Sequence, residues 1–120
     1  MIEEYHFGSI TINGKTYNYD VEVRWNGEVL EWRRESSHVI DIEGVKRAVE
    51  EKPETIIIGT GESGVARVTE SAQRFIKEKK IELIIDRTEE AVKVFNMIRG
   101  KPEREKGEKK KVIGLFHLTC

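Results

Sequence analysis

The chain has 120 residues, 38% hydrophobic and 36% charged, with a formal net charge of −1. That length and apolar content suit a single domain over residues 1–120 with one core, not a disordered chain. Near-neutral charge gives no global pull toward nucleic acid or an anionic membrane. A lone Cys excludes an internal disulfide and any C-x-x-C motif, and no apolar run nears the ~20 residues of a membrane span.

Residues 1–10, "MIEEYHFGSI", are acidic and lack the apolar centre of a signal peptide, so the cytoplasm is the expected location. The Glu- and Lys-rich polar surface, with Gln73 as the one glutamine, resembles a thermophile's composition. Residues 1–34 read as a β-hairpin region. Two Asn-Gly pairs, Asn13-Gly14 and Asn26-Gly27, are type I′ turn signals between strands expected near 8–12, 16–25 and 28–33. In the middle strand Val21, Val23 and Trp25 share one face, and Glu22 and Arg24 the other.

Residues 35–120 alternate helix and strand. Asp41 caps a helix whose apolar residues are Ile42, Val45, Ala48 and Val49, and Pro53 stops it. "TIII" (55–58) is β-branched and bounded, as a buried strand is. Thr69 caps a second helix with Ala72, Phe75 and Ile76 inward. "IELII" (81–85) is the next strand, parallel to 55–58 by the right-handed crossover rule. Thr88 caps a third helix with Ala91, Val92, Phe95 and Ile98 inward, ended by Gly100. The stretch "KPEREKGEKKK" (101–111) carries six bases and three acids, the pattern of an exposed charged loop. It has no aromatic residue to stack on a base, so no nucleic-acid role is expected of it. "KVIGLFHL" (111–118) is the last strand.

The one suggestive motif is "TIIIGTGESG". Gly59, Gly61 and Gly64 spell G-x-G-x-x-G after an apolar run, and Asp86 stands near where a ribose-binding carboxylate would. A dinucleotide site needs the helix to open inside the fingerprint, so that its first amides face the pyrophosphate. Here the N-cap is Thr69, five residues beyond Gly64. Three readings stay open: a dinucleotide site, another ligand site in the loop, or a structural turn at the carboxyl end of a buried strand.

Other chemistry is thinly signalled. His6, His38 and His117 have no metal-ligand spacing. His117 and Cys120 would point to opposite sides of a continued strand, which discourages a Cys–His pair. Ser63 in "GESG" is one residue short of the G-x-S-x-G nucleophile turn. Trp25 and Trp32 suit sheet packing or a pocket wall. Arg33, Arg34 and His38 ring a polar loop that could meet an anion, although solvated charge is the plainer account.

Three segments carry a resemblance to a known family. "EWRRESSHVIDIEGVKRAVEE", "IIIGTG" and "GLFHLTC" are similar to the W-x-W-R-E segment, V-I-G-x-G turn and G-V-F-H-x-T-C end of the small conserved domain of adipogenesis-associated proteins. That family also includes a mitochondrial assembly factor of respiratory complex I. The resemblance runs from about Phe7 to Cys120, and residues 101–110 look like an insertion relative to it. It implies a three-layer α/β domain with a mixed central sheet, flanking helices and an N-terminal β-hairpin layer. It implies no established enzymatic activity, and roles in assembly and regulation. The family positions that map here are Trp32, Arg33, Gly59, Gly61, Asn96, His117 and Thr119.

The resulting expectation is a cytosolic, non-catalytic domain that binds a protein partner or a small ligand, without cofactor, metal, nucleic acid or membrane. Its pocket is expected at Gly59, Thr60, Gly61, Glu62 and Ser63, near Trp32, Arg33, Asn96 and His117. The alternative is a nucleotide- or phosphate-binding enzyme that uses the GTGESG loop.

Overall fold

The structure is a computed structural model and describes residues 1–100 and 110–120. Most of the expected charged loop, residues 101–109, lies outside the described residues. Alternating apolar residues and an Asn-Gly turn produce a three-stranded antiparallel sheet of β1 (Ile2–His6), β2 (Ser9–Ile12) and β3 (Lys15–Tyr17). Asn13 (φ 49°) and Gly14 (φ 83°) are both left-handed, as a type I′ turn demands. The strand expected over 16–25 is instead two strands in different sheets, β3 and β4 (Val21–Arg24). The break falls at Asp20, whose main chain is used elsewhere: its carbonyl accepts from the Trp32 amide at 2.8 Å.

β4 pairs with β5 (Val29–Glu31) across the second Asn-Gly. Only Gly27 is left-handed there, and its amide donates to the Arg24 carbonyl at 3.0 Å. This is a three-residue loop closed by a glycine bulge, not the expected type I′ turn. The main sheet runs β5-β4-β10-β7-β9, with β7 (Thr55–Thr60), β9 (Glu82–Asp86) and β10 (Val112–His117). β10 is antiparallel to β4 and parallel to β7, and β7 is parallel to β9, so the sheet is mixed. A short parallel pair, β6 (Val39–Ile40) with β8 (Arg67–Val68), bridges the loops above it.

Two helices cover one face. Asp41 caps α1 (Ile42–Glu50) by accepting from the Gly44 amide, and Thr69 caps α2 (Glu70–Glu78) by accepting from the Ala72 amide. Val45, Ala48, Val49, Ala72 and Ile76 pack on Ile56, Ile58, Ile113 and Leu115. α3 (Thr88–Arg99) and the three-stranded sheet cover the other face. There Ala91, Val92, Phe95 and Ile98 meet Ile2, Ile10, Ile12, Ile57 and Phe116. The Phe95 and Phe116 rings stack edge-on, centroids 5.9 Å apart, a geometry that adds about 0.5–1.5 kcal/mol to their burial.

This is the three-layer α/β arrangement with a mixed central sheet. The N-terminal region contributes twice, as a separate layer (β1–β3) and as an edge of the main sheet (β4–β5). Glu22 and Arg24, on the expected polar face of β4, are buried. They pair with each other at 2.8 Å, and Glu22 also takes Arg47 of α1 at 3.0 Å, so the polar face becomes an ionic seam beneath that helix.

Candidate functional site

β7 and β10 end side by side, with their carboxyl ends at one edge of the molecule, where open α/β sheets tend to bind ligands. The glycine corner lies there, and it is filled by the chain itself. An added Cβ at Gly59 would meet the Thr88 hydroxyl at 2.8 Å and the Thr88 Cα at 3.0 Å, so this glycine lets α3 approach. Gly61 (φ 103°) faces the main chain of residues 119 and 120, where an added Cβ would meet both carbonyl oxygens at 2.6 Å. Its amide donates to Thr88 Oγ1 at 2.8 Å, and the Glu62 amide donates to the Thr119 carbonyl at 2.7 Å. The amides a pyrophosphate would need are therefore engaged, and the helix after the loop begins only at Glu70.

Thr88 is the corner's pin. The expected side-chain cap of α3 is absent: the N-cap is Arg87, which makes no capping bond, and Thr88 is the first helical residue. Its buried hydroxyl is used on the corner, accepting from Gly61 and donating to the His117 carbonyl at 2.5 Å. One hydroxyl thus joins the ends of β7, β10 and α3. Thr60 is buried and donates to the Asp86 carbonyl. Glu62 and Ser63 are exposed, and Glu62 accepts from the Tyr5 hydroxyl at 3.0 Å. Partial burial and that bond raise the Tyr5 phenol above its ordinary value.

His117 and Trp32 meet in a charged cluster beside the corner. His117 Nδ1 lies 2.7 Å from Asp20 Oδ2, and Arg34 Nη2 lies 2.8 Å from the same oxygen. Arg34 Nη2 also donates to the Ser37 carbonyl. The 3.2 Å gap between Arg34 Nη2 and His117 Nδ1 is then two donors sharing one acceptor, not a third hydrogen bond. Asp20 Oδ1 takes the Leu118 amide at 2.8 Å. Burial alone would push the Asp20 carboxyl up, but bonds from His117, the Leu118 amide and Arg34 outweigh it and hold the group below its ordinary value. The Arg34 guanidinium carbon lies over the Trp32 ring, 4.0 Å from its centroid, and the Trp32 indole donates to the Gly44 carbonyl. Arg34 Nε is buried without a hydrogen-bond partner among the described residues.

The remaining expected residues sit apart. Asn96 is on the opposite face of the sheet, where its amide grips both backbone groups of Ile2, accepting at 3.0 Å and donating at 2.8 Å. Arg33 is exposed and pairs with Glu31. Cys120 approaches His38, not His117, with Sγ 3.9 Å from Nε2. Sequence reasoning missed Asp20, the residue that joins the cluster; its signal was an aspartate interrupting an otherwise β-rich run, "YNYDVEV". Among the described residues, no group of three or more His, Cys, Asp or Glu is placed to hold a metal ion.

Two clefts flank Trp32. The larger, about 650 Å³, is lined by Arg33, Arg34, Glu35, Asp41, Glu43 and Gly44; the smaller, about 400 Å³, by Glu31, Trp32, Arg33, Glu43, Gly44 and Arg47. Arg33, Glu43 and Gly44 line both, so the clefts form one groove over the start of α1.

A family model described as "Protein of unknown function (DUF498/DUF598)" matches residues 2–115, which include β1–β9, all three helices, and Asp20 and Arg34 of the charged cluster but not His117. The chain belongs to this family. Among solved structures, the DUF498/DUF598 chain described here is similar to a conserved hypothetical protein from Pyrococcus horikoshii OT3. The two are 25% identical with a TM-score of 0.85, over 100% of this chain and 99% of that one. It is similar also to a protein designated MT938, at 31% identity and a TM-score of 0.78, over 100% of this chain and 98% of that one. A protein described as an outer membrane protein from Bartonella henselae shares the fold at 22% identity and a TM-score of 0.75, over 99% and 94% of the two chains. No helix among the described residues here is long and apolar enough to cross a membrane.

Proposed function

We propose that this DUF498/DUF598 chain is a non-catalytic binding domain that takes an extended segment of a partner protein in the groove around Trp32. The observation that carries the reading is the groove's unbalanced charge. Its arginines are already paired, Arg33 with Glu31, Arg34 with Asp20 and Arg47 with Glu22. Glu35 and Glu43 line the groove with no ion-pair partner among the described residues. The occupant that complements this lining carries Lys or Arg, with an apolar side chain over the Trp32–Gly44 floor. A partner-binding role agrees with the assembly and regulatory roles that the sequence resemblance implies, and the expected cytoplasmic location belongs to the same proposal.

The nucleotide- or phosphate-dependent alternative draws on the GTGESG loop. The engaged amides of Gly61 and Glu62 weigh against it. A single set of experiments separates the two. Affinity capture with the wild-type chain should enrich a partner that the Glu35→Lys/Glu43→Gln variant fails to enrich, while both proteins melt alike. Thermal melts with NAD, FAD, ATP and phosphate should show no shift; a specific ligand at a hundred times its Kd would add about 2.7 kcal/mol. A shift with any of these that survives the groove substitutions, together with equal capture by both proteins, would move the function to the glycine corner.

A further inference from the structure

The carboxyl ends of α1 and α2 lie together at the far end of α1 from Trp32, and a groove of about 520 Å³ opens between them. Its floor is apolar. Val49, Pro53 and Ile81 are buried beneath it, while Phe75 is only half-buried despite its place on the inward stripe of α2. The rim is cationic: Lys46, Lys52 and Lys79 are exposed and make no ion pair among the described residues. Lys79 Nζ stands 5.7 Å from the Phe75 ring centroid, leaning over the apolar floor. One carboxylate, Glu50, shares the wall.

We propose that this groove docks an acidic amphipathic helix of a partner protein. Apolar side chains one turn apart would rest on Phe75, Pro53 and Ile81, and flanking carboxylates would meet the three lysines. Charge decides the occupant, because a basic segment would face uncompensated lysines. A second copy of this chain does not fit either: two concave grooves do not fill one another, and two-fold pairing would set lysines against lysines. The surface is separate from the Trp32 groove and does not depend on the reading given to it.

The probe is a fluorescein-labelled, helix-forming peptide with leucines at i, i+3, i+4 and i+7 and glutamates elsewhere, titrated by anisotropy against the whole chain. A matched peptide with lysines for glutamates is the control. The glutamate peptide should bind saturably and the lysine peptide should not. Phe75→Ala should weaken binding at least ten-fold, as should Lys46→Glu/Lys52→Glu/Lys79→Glu, and Arg33→Glu should leave it unchanged. The lysine substitutions are all exposed, so they keep the test decisive if Phe75→Ala fails to fold. Absence of saturable binding, binding that the triple reversal leaves intact, or loss caused by Arg33→Glu would each overturn the proposal. So would a dimer that forms without peptide and disappears in Phe75→Ala, since the groove would then belong to a second copy.

Discussion

The glycine corner at 59–64 and the loop at 31–44 sit at the same end of the sheet, joined through Asp20, Arg34 and His117. The corner carries the more suggestive sequence pattern, yet of the two it is the loop that frames the larger clefts. Every special feature of the corner serves an internal contact: Gly59 admits α3, and Gly61 admits the main chain of residues 119 and 120. The loop carries no ligand-binding motif, but it frames two clefts in which Glu35 and Glu43 have no ion-pair partner among the described residues. Close backbone approach demands glycine whether the visitor is a cofactor or the protein's own chain. A glycine pattern therefore locates a close approach without naming what approaches.

The largest way to break the comparison is to cut the joint between the two regions. Asp20→Ala leaves Arg34, which is nearly buried, without its carboxylate and takes the acceptor from His117. Breaking a buried ionic cluster from one side costs about 3–5 kcal/mol, and urea denaturation should show a loss of that size. The pH dependence follows from the same group. Its folded pKa is held below the ordinary 3.8, so its stabilisation is complete above that value and is lost as pH falls through the lower folded one. Wild type should lose stability over that acid range more steeply than Asp20→Asn does.

Next in size is Gly61→Ala, which tests the filled corner directly. A methyl group there would sit 2.6 Å from two carbonyl oxygens on a left-handed backbone. About 3 kcal/mol of lost stability is expected, a fall in Tm of roughly 10 °C. A near-neutral result would mean that the main chain at 119 and 120 yields readily, leaving the corner free to admit a ligand.

The sequence made most of the framework legible, because apolar spacing and capping residues are local signals. Asp41 and Thr69 cap where expected, and Val45, Ala48 and Val49 of α1 and the inward stripe of α3 are buried as read, while Ile42 is only half-buried. What escaped depends on partners distant in sequence. Thr88 reads as a cap by its type and position, but its hydroxyl is captured by Gly61 and His117, 27 and 29 residues away. Asp20 gains its role from Leu118 and His117, nearly a hundred residues on. Of the residues expected to share a pocket, Trp32 and His117 meet in the cluster, whereas Asn96 lies on the other side of the sheet holding β1.

That placement of Asn96 gives a smaller effect, confined to one strand. Asn96→Ala removes two hydrogen bonds to Ile2 and should cost about 1–2 kcal/mol. Amide exchange should accelerate in β1 more than in β7, and the groove around Trp32 should keep its binding. Equal acceleration in both strands would show that β1 and the main sheet open as one unit.

The smallest expected effect on stability is also the sharpest test of the open region. Glu35 and Glu43 are exposed and have no ion-pair partner among the described residues, so Glu35→Lys/Glu43→Gln breaks no pair and disturbs no buried group. Surface substitutions that break no pair change stability by less than about 0.5 kcal/mol, so Tm should barely move. Partner capture should nevertheless fall at least ten-fold, because the substitutions remove the negative charge that selects a basic segment. Loss of binding without loss of Tm is an outcome that a purely structural groove cannot produce. The reverse pattern, a lower Tm with capture intact, would make the loop a support for α1 and return the search for a partner to the lysine-rimmed groove at its other end.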